Sequence, residues 1–408
     1  MPAVLGGCSA SLAVIRSFVS KKDSDFTGNL HESHGASRMG YRGNLMEWRI
    51  AQVQPDFDDD EVSGLTATMR RGWLTEGPCA AEFLSAIQRD TGSQYAVLAP
   101  NGTLGLFLAL LALDLPRDGE ILIPSFTFYA SASAAIFAGL RPVFVDVDPD
   151  TFNIDVDALE RHVTDRTVAI MPVHIYGHAA QVDRVNEFAT RHQIRIVEDA
   201  AQAYGICYQG CHAGTWGDVG VISFFADKTI TTGEGGVILT QDPVIYDRLR
   251  LLRNQGRLNS GTFKHDGLGM NFRVTDLQCA VGLAQLRKLP AIAAAKRLNH
   301  ARYVENLGDV EGIRWMQRQP GSDHIPFRFA LLSDRRDVVV DALERAGVQT
   351  RSFFYPLHLQ PVFTKYARGP LPVAEALYAE GICLPVHTGV TLSDIDSISE
   401  IIGAVHAN

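Results

Sequence analysis

The sequence lacks the features that mark membrane, secreted and nucleic-acid-binding proteins. None of its 408 residues belongs to an uncharged apolar run of the ~18 residues that a membrane-spanning helix requires. The six cysteines are scattered over the whole length without disulfide or zinc-site spacing, so we expect reduced thiols, a cytoplasmic location and no metal. The net charge of −9 and the absence of a Lys/Arg block argue against a nucleic-acid partner.

Three common catalytic signatures are absent as well. There is no G-x-G-x-x-G behind a first strand, no G-x-x-x-x-G-K-[ST] and no G-x-S-x-G, so a dinucleotide fold, a P-loop and the usual serine hydrolase turn are not indicated. The composition, with 46% apolar and 20% charged residues, is that of an ordinary globular enzyme of two or three folding units.

The pattern along the chain predicts an α/β protein. From residue 95 onward, short β-rich runs alternate with helical runs, which indicates crossover connections and a largely parallel sheet covered by helices on both faces. The strands predicted at 220–225 and 236–240 are too close in sequence for a crossover helix, so they should pair antiparallel and make the sheet mixed. We expect a poorly ordered extension at 1–50, a large domain at 51–290 and a smaller α+β domain at 291–408.

Polar residues at the ends of three predicted strands are candidates for a ligand site. Asn101, Gly102 and Thr103 lie between a strand and an apolar helix, where free N–H groups and the helix dipole suit a phosphate. An ordinary helix cap is the alternative interpretation. Asp199 ends another strand, where a carboxylate is often solvated or caps the next helix.

Lys228 stands in a rarer setting. An apolar strand that ends at Ser223 leads into a turn with this single lysine, followed by the glycines of the stretch 233–236. Such a turn allows a desolvated amine with a lowered pKa and a close approach of backbone to a flat ligand. A phosphate site, a strand-end carboxylate and a buried lysine, in this order, are the parts that a pyridoxal phosphate enzyme needs.

The motifs resemble those of a known family, the DegT/DnrJ/EryC1/StrS group of pyridoxal phosphate-dependent sugar aminotransferases of fold type I. The resemblance covers residues 72–402. The matching segments are Gly72-Trp73-Leu74-x-x-Gly77-Pro78, Asn101-Gly102-Thr103, Pro124-Ser125-Phe126-Thr127-Phe128, Pro172-Val173-His174-x-Tyr176-Gly177, Glu198-Asp199-Ala200-Ala201-Gln202, Lys228 with Gly233-Glu234-Gly235-Gly236, Asn271-Phe272-Arg273 and Tyr355-Pro356-Leu357-His358.

This resemblance implies roles for individual residues. Lys228 would form the internal aldimine with pyridoxal 5′-phosphate and move the proton between the donor Cα and C4′ of the cofactor, and Asp199 would pair with the ring nitrogen. The remaining implied cofactor contacts are Gln202 to the ring hydroxyl, Phe128 stacked on the ring, and Gly102, Thr103 and Ser223 on the phosphate. Asn271 would reach the cofactor phosphate of the adjacent subunit, which implies a homodimer with shared active sites.

The implied reaction is transfer of an amino group from glutamate to a nucleotide-linked keto-sugar. The lysine loop is most similar to the perosamine synthase branch, which implies a GDP-linked 4-keto-6-deoxyhexose as acceptor. Arg273 would bind the donor carboxylate and His358 would line the sugar pocket, with an ordinary surface or core role as the alternative for each.

Two departures from the family pattern, Phe272 for Tyr and Tyr204 for His, affect the expected surroundings of the ring. The main alternative function is that of a pyridoxal phosphate lyase, a dehydratase or a non-sugar transaminase on the same fold. The cofactor-binding motifs do not distinguish these, because they do not specify the substrate. A non-catalytic regulator is disfavoured, because such a protein has no chemical need for Lys228, Asp199 and Gln202 together.

Overall fold

The strands of the chain form a seven-stranded sheet, a four-stranded sheet and a two-stranded hairpin in a computed structural model that describes residues 48–257, 261 and 263–407. The expected extension at 1–50 therefore falls almost wholly outside the described residues. Ile50, near the start of the described part, is buried and donates its backbone N–H to Gly347 at 3.1 Å.

The strands are β1 (Tyr95–Ala99), β2 (Glu120–Pro124), β3 (Arg141–Val145), β4 (Thr167–Ile170), β5 (Arg195–Asp199), β6 (Cys207–Tyr208), β7 (Cys211–His212), β8 (Val219–Ser223), β9 (Gly236–Thr240), β10 (Ile313–Trp315), β11 (Phe329–Ser333), β12 (Arg351–Ser352) and β13 (Gly381–Leu384). The α-helices are α1 (Asp59–Arg71), α2 (Pro78–Thr91), α3 (Gly102–Ala112), α4 (Tyr129–Phe137), α5 (Val182–His192), α6 (Pro243–Arg253), α7 (Asp276–Leu307), α8 (Arg336–Arg345), α9 (Pro372–Glu380) and α10 (Leu392–Ala407). Short 3-10 helices cover Val156–Arg161, Ile175–Gly177, Leu357–Leu359 and Thr364–Tyr366.

The larger sheet has seven strands in the order β1-β9-β8-β5-β4-β2-β3. Strand β9 runs antiparallel to β1 and β8, and the remaining neighbours pair in parallel. The predicted mixed, mostly parallel sheet is thereby confirmed, including the antiparallel pair, in which Ser223 faces Gly236. Because β1, β2, β5 and β8 are parallel, their carboxyl ends lie at one edge of the sheet.

Helices cover both faces of this sheet, as the buried apolar strands require. Helices α3, α4 and α6 pack on one face, in a core that includes Leu108 and Ile245. Helices α2, α5 and the first turns of α7 pack on the other face, around Phe83 and Phe188. Alternate residues of each strand contribute to the two cores, as a pleated strand with both faces buried predicts.

The smaller sheet has four antiparallel strands in the order β10-β11-β13-β12. It shares a separate core with α8, α10 and the second half of α7, around Tyr303 and Phe329. Helix α7 begins at a capping box formed by Thr275 and Gln278 and continues through Pro290 to this core. The proposed boundary between a large and a small domain, at 290/291, falls within this helix and stays a prediction.

Two elements are shorter than the sequence pattern alone predicts. The pattern of residues 156–163 predicts a helix, but only the 3-10 helix Val156–Arg161 forms there, with Asp155 as its N-cap. The apolar segment 325–333 predicts a strand, but the strand is limited to Phe329–Ser333, because pairing with β13 begins at Phe329. Within the described part, no helix combines the length and apolar character needed to cross a membrane.

Candidate active site

The loops that follow β1, β2, β5 and β8 line one cavity of about 360 Å³. It lies at the shared carboxyl edge of these strands, where open α/β sheets bind ligands. The predicted site residues that line it are Gly102, Thr103, Phe128, Asp199, Gln202, Ser223 and Lys228. Residues from the loops and strands of the smaller sheet, among them Arg328 and Arg351, complete the wall.

The turn that carries Lys228 is fixed by its own backbone. The Lys228 N–H donates to the carbonyl of Phe225 at 2.9 Å, and the Thr232 N–H donates to that of Phe224 at 2.9 Å. Position 236, the first residue of β9 after this turn, favours glycine. Any Cβ there would lie 3.0 Å from the carbonyl carbon of Asn101, which is closer than ordinary van der Waals contact. The strand pair and the turn therefore place the lysine beside the loop that follows β1.

The amine of Lys228 is buried in this cavity. Its side chain is 16% exposed, with Nζ 3.6 Å from Oδ1 of Asp227 and 4.6 Å from the ring centroid of Phe327. Burial lowers the pKa of Lys228, and the neighbouring Arg328 acts in the same direction, whereas Asp227 and Asp199 oppose them. A larger fraction of this amine is therefore uncharged at neutral pH than in an exposed lysine. The uncharged form is the nucleophilic and basic one.

Asp199 ends β5 with its carboxylate buried in the cavity wall. Oδ2 accepts a hydrogen bond from the hydroxyl of Ser131 at 2.7 Å, and Oδ1 accepts one from the N–H of Ala201 at 3.2 Å. Burial raises the pKa of Asp199, although these hydrogen bonds and the charge of Lys228 act in the opposite direction. A carboxylate in this setting gains most from a cationic partner such as a protonated ring nitrogen.

The start of α3 has the donors that an anion site requires. Asn101 caps the helix by accepting from the N–H of Leu104 at 2.9 Å, and the N–H groups of the first helical residues, Gly102 and Thr103, have no intrahelical acceptor. Ser223 closes the other side: a Cβ on Gly102 would lie 3.0 Å from the Cβ of Ser223. Backbone donors and a hydroxyl from strands far apart in sequence thus meet at one point that suits a phosphate.

Gln202 and Phe128 differ in how firmly they are held. Gln202 is buried, and its Oε1 accepts from the N–H of Tyr176 at 2.9 Å, so its amide NH₂ is available as a donor. Phe128 is 56% exposed, and its ring makes a T-shaped contact with Phe354 at a centroid distance of 6.2 Å. The phenylalanine therefore forms the open side of the cavity, where a flat ring can stack.

Three predicted site residues do not line the cavity of the single chain. Arg273 donates through Nη1 to Oδ1 of Asn254 at 2.7 Å, and the exposed Asn271 accepts from the N–H of Arg273 at 3.2 Å. Their binding roles stay predictions.

His358 is also absent from the cavity wall. It is buried between two partners: the Ser125 hydroxyl donates to its Nδ1 at 2.7 Å, and its Nε2–H donates to Glu375 at 3.1 Å. Both ring nitrogens are therefore used, and the structure favours the core role that the sequence left open as the alternative for this histidine.

Sequence reasoning missed an ionic group beside the lysine. Asp227 lies with Oδ2 2.8 Å from Nη2 of Arg328 and 3.8 Å from Nη1 of Arg351. Asp227 is adjacent to the lysine in sequence and could have been found from that position. The two arginines precede or begin strands of the smaller sheet, and no local pattern marks them as part of a site.

These groups match the three parts of pyridoxal phosphate that need a protein partner. The aldehyde requires an amine, the ring nitrogen an acid, and the phosphate a set of anion donors. Lys228, Asp199 and the start of α3 supply one each within a single cavity. Fold and site together define a pyridoxal phosphate-dependent enzyme of the α/β class.

Comparison with known proteins identifies the family. The DegT/DnrJ/EryC1/StrS aminotransferase family matches residues 55–403, so the chain belongs to this family and is an aminotransferase, as its motifs indicated. Pyridoxal phosphate is the cofactor of these enzymes, and a putative sugar aminotransferase from Streptococcus pneumoniae solved in its PLP form has a TM-score of 0.83 and 26% identity, covering 87% of this chain and 98% of the other.

Relatives act on nucleotide sugars. The chain is 37% identical to GDP-perosamine synthase of Caulobacter vibrioides, over 86% of this chain and 96% of the relative. It is 34% identical to a UDP-N-acetyl-3-dehydro-alpha-D-glucosamine 3-aminotransferase of Acidithiobacillus ferrooxidans, over 76% and 84%. Among solved structures, aminotransferase TlmJ of Streptoalloteichus hindustanus matches with a TM-score of 0.84 and 31% identity, covering 88% and 99%. The chain is accordingly a sugar aminotransferase.

Proposed function

We propose that the protein transfers the amino group of glutamate to C4 of a GDP-linked 4-keto-6-deoxyhexose. The observation that carries this proposal is the placement of Lys228, Asp199 and the phosphate site in one cavity. The choice of acceptor is supported by the similarity to GDP-perosamine synthase over 86% of the chain.

Each side chain has a defined part in this reaction. Bound pyridoxal phosphate supplies an electron sink that stabilises negative charge on the carbon losing its proton. Lys228 would hold the cofactor through Nζ, and its uncharged amine would take the proton from the donor Cα and deliver it to C4′ of the cofactor. Asp199 would keep a proton on the ring nitrogen, and Ser131, which donates to Asp199 at 2.7 Å, fixes the orientation of that carboxylate.

The other residues of the cavity wall would position the cofactor. The Gln202 amide would donate to the ring hydroxyl, while Gly102, Thr103 and Ser223 would hold the phosphate, and together they would keep the ring beside Lys228. The exposed side at Phe128 leaves room for a sugar to enter. Because donor and acceptor react at the same amine position, they use the cavity in turn.

A homodimer with shared active sites is part of the proposal. Phe225 of the cavity wall is 44% exposed, and two further large apolar side chains, Trp73 and Met270, are 57% and 61% exposed; exposed apolar side chains of this size suit a subunit contact. Asn271, which follows Met270 in the chain, is also exposed and would reach the cofactor phosphate of the other subunit. A cytoplasmic location is also proposed, and the free cysteines of the described part suit a reducing compartment.

The test is an assay of the purified protein, loaded with cofactor, against single keto-sugars. We expect 2-oxoglutarate to form from glutamate only when a GDP-linked 4-keto-6-deoxyhexose is present, with the amino-sugar as co-product. Turnover with a UDP-linked 3-keto-sugar instead would contradict the proposed acceptor and leave the aminotransferase activity in place. Release of ammonia without an amino-sugar would replace the proposal with lyase chemistry.

A further inference from the structure

Two arginines without an assigned role line the cavity that holds Lys228. Arg328 directly precedes β11, and Arg351 is the first residue of β12. Their side chains differ in burial: 6% of Arg328 is exposed, against 55% of Arg351. One guanidinium thus lies deep in the wall and the other near its opening.

Two guanidinium groups share one carboxylate in this part of the wall. Asp227 is the carboxylate that both approach, with its Oδ2 2.8 Å from Arg328 and 3.8 Å from Arg351. The same carboxylate also lies 3.6 Å from the amine of Lys228. The other carboxylates of the cavity wall belong to Asp199 and Glu234. Beside Asp227, two permanently charged guanidinium groups have one carboxylate between them, an arrangement that attracts a second anionic group.

Donors of both arginines remain available to such a ligand. Arg328 donates to Asp227 through Nη2, which leaves the other side of its planar fork for a second acceptor. The distance of 3.8 Å between Arg351 and Asp227 exceeds that of a hydrogen bond. The Arg351 guanidinium is therefore held near Asp227 by charge attraction, and Asp227 does not use its N–H donors. A fork of this kind binds a carboxylate through two parallel hydrogen bonds.

Arg328 lies nearer the amine than the opening of the cavity. Its Nη2 contacts Oδ2 of the carboxylate whose Oδ1 is 3.6 Å from Nζ of Lys228, and Phe327 lies beside both cations, with its ring centroid 4.4 Å from Cζ of Arg328 and 4.6 Å from Nζ of Lys228. The α-carboxylate of an amino acid must lie near the amine while its amino group reacts. Arg351, whose side chain is 55% exposed, is on the open side of the same carboxylate, where the end of that amino acid's side chain would extend.

We propose that Arg328 and Arg351 form the binding site for the two carboxylates of a five-carbon dicarboxylic amino donor. Arg328 binds the carboxylate next to the reacting amine and Arg351 binds the distal one, while Asp227 orients both guanidinium groups. The assignment rests on the proposed use of glutamate as amino donor, and it gives the donor carboxylates partners inside the cavity, which Arg273 does not line.

The nucleotide diphosphate of the acceptor fits this site less well. A diphosphate is joined to C1 of the sugar, across the ring from a carbonyl at C4, so it lies far from Lys228 when C4 reacts. The deeply buried Arg328, which shares the Asp227 carboxylate with the amine, suits an anion close to the reacting carbon. A carboxylate bonded directly to that carbon meets this requirement better than the diphosphate does.

The test measures binding of unreactive acids to the cofactor-loaded protein. Glutarate has both carboxylates but no amine, and pentanoate has only one. In Arg351→Gln, we expect glutarate affinity to fall on the order of 10- to 100-fold, because a charge-assisted pair is lost, with pentanoate affinity unchanged. In Arg328→Lys, which keeps the charge beside Asp227 but loses the fork, we expect both acids to bind less tightly. Arg345→Gln, an exposed arginine of α8, is the matched control and should leave both affinities unchanged.

Kinetics separate this inference from the proposed function. For Arg351→Gln we expect a raised KM for glutamate and an unchanged KM for the keto-sugar. An unchanged glutarate affinity in Arg351→Gln, or a loss of GDP affinity without a loss of glutarate affinity, would overturn the inference while amino-sugar formation continues. Arginine-dependent glutarate binding in a protein that forms no amino-sugar would instead leave the inference standing and remove the proposed acceptor.

Discussion

Replacement of a second buried lysine should stabilise the protein in a pH-dependent way. Lys296 of α7 is 6% exposed and lines a small polar pocket together with Lys228 and Asp227. Burial lowers the pKa of Lys296 to about 7, and the charges of Arg328 and Lys228 add to this effect, whereas Asp227 opposes it. Its Nζ donates one long hydrogen bond, of 3.4 Å, to the carbonyl of Pro326.

The sign and size of the effect follow from proton linkage. A lysine that titrates at 10.5 when unfolded and about 7 when folded binds more protons in the unfolded chain between these values. Stability then rises with pH across that window, and at pH 7 the depressed pKa costs about 4 kcal/mol. Lys296→Met removes this cost and loses a hydrogen bond worth ~1 kcal/mol, so we expect a net gain of roughly 3 kcal/mol at pH 7.

The assay is urea unfolding of the cofactor-saturated protein at pH 7 and 9.5. The gain of Lys296→Met over the natural sequence should be largest at pH 7 and fall by more than half at pH 9.5. Lys365→Met, at an exposed position, is the control and should show no such trend. A Lys296→Met protein that is less stable at pH 7, or whose gain is the same at both pH values, would refute the reasoning.

Three further predictions concern the site. Asp199→Asn should still bind the cofactor but lose at least ~100-fold in single-turnover rate with glutamate, because a neutral amide cannot hold the ring nitrogen protonated; a rate near that of the natural protein would contradict this role. His358→Ala should lower the free energy of unfolding by ~1–3 kcal/mol through its lost hydrogen bonds and leave the KM for the sugar unchanged, and the opposite pattern would restore a sugar contact. Mixing Lys228→Ala with Asn271→Ala subunits should recover roughly a quarter of the activity if the sites are shared, and none if each subunit is self-sufficient.

The parts of the site that could be predicted are those encoded locally. The antiparallel pair followed from the short link between two apolar runs, and the structure has Ser223 opposite Gly236 as a result. Asn101 ahead of an apolar helix indicated the anion site, because capping depends on neighbours in sequence. Lys228 and Asp199 stood out because polar residues at strand ends meet at one edge of the sheet.

The parts that could not be predicted depend on packing between distant segments. Arg328 and Arg351 reach the cavity only because the smaller sheet packs beside the turn that carries Lys228, and no periodicity expresses that placement. The buried His358 is hydrogen-bonded to Ser125, 233 residues away in the chain. The motif around His358 indicated a residue of the sugar pocket, whereas the structure has this histidine buried with both ring nitrogens hydrogen-bonded.

The most direct test asks where the cofactor is attached. The full-length protein is loaded with pyridoxal phosphate, reduced with borohydride, digested and examined by mass spectrometry. The phosphopyridoxyl group should be found on Lys228 and should disappear in Lys228→Ala, while the buried Lys296 stays unmodified. Attachment to another lysine, or an adduct that persists in Lys228→Ala, would contradict the whole assignment of the site.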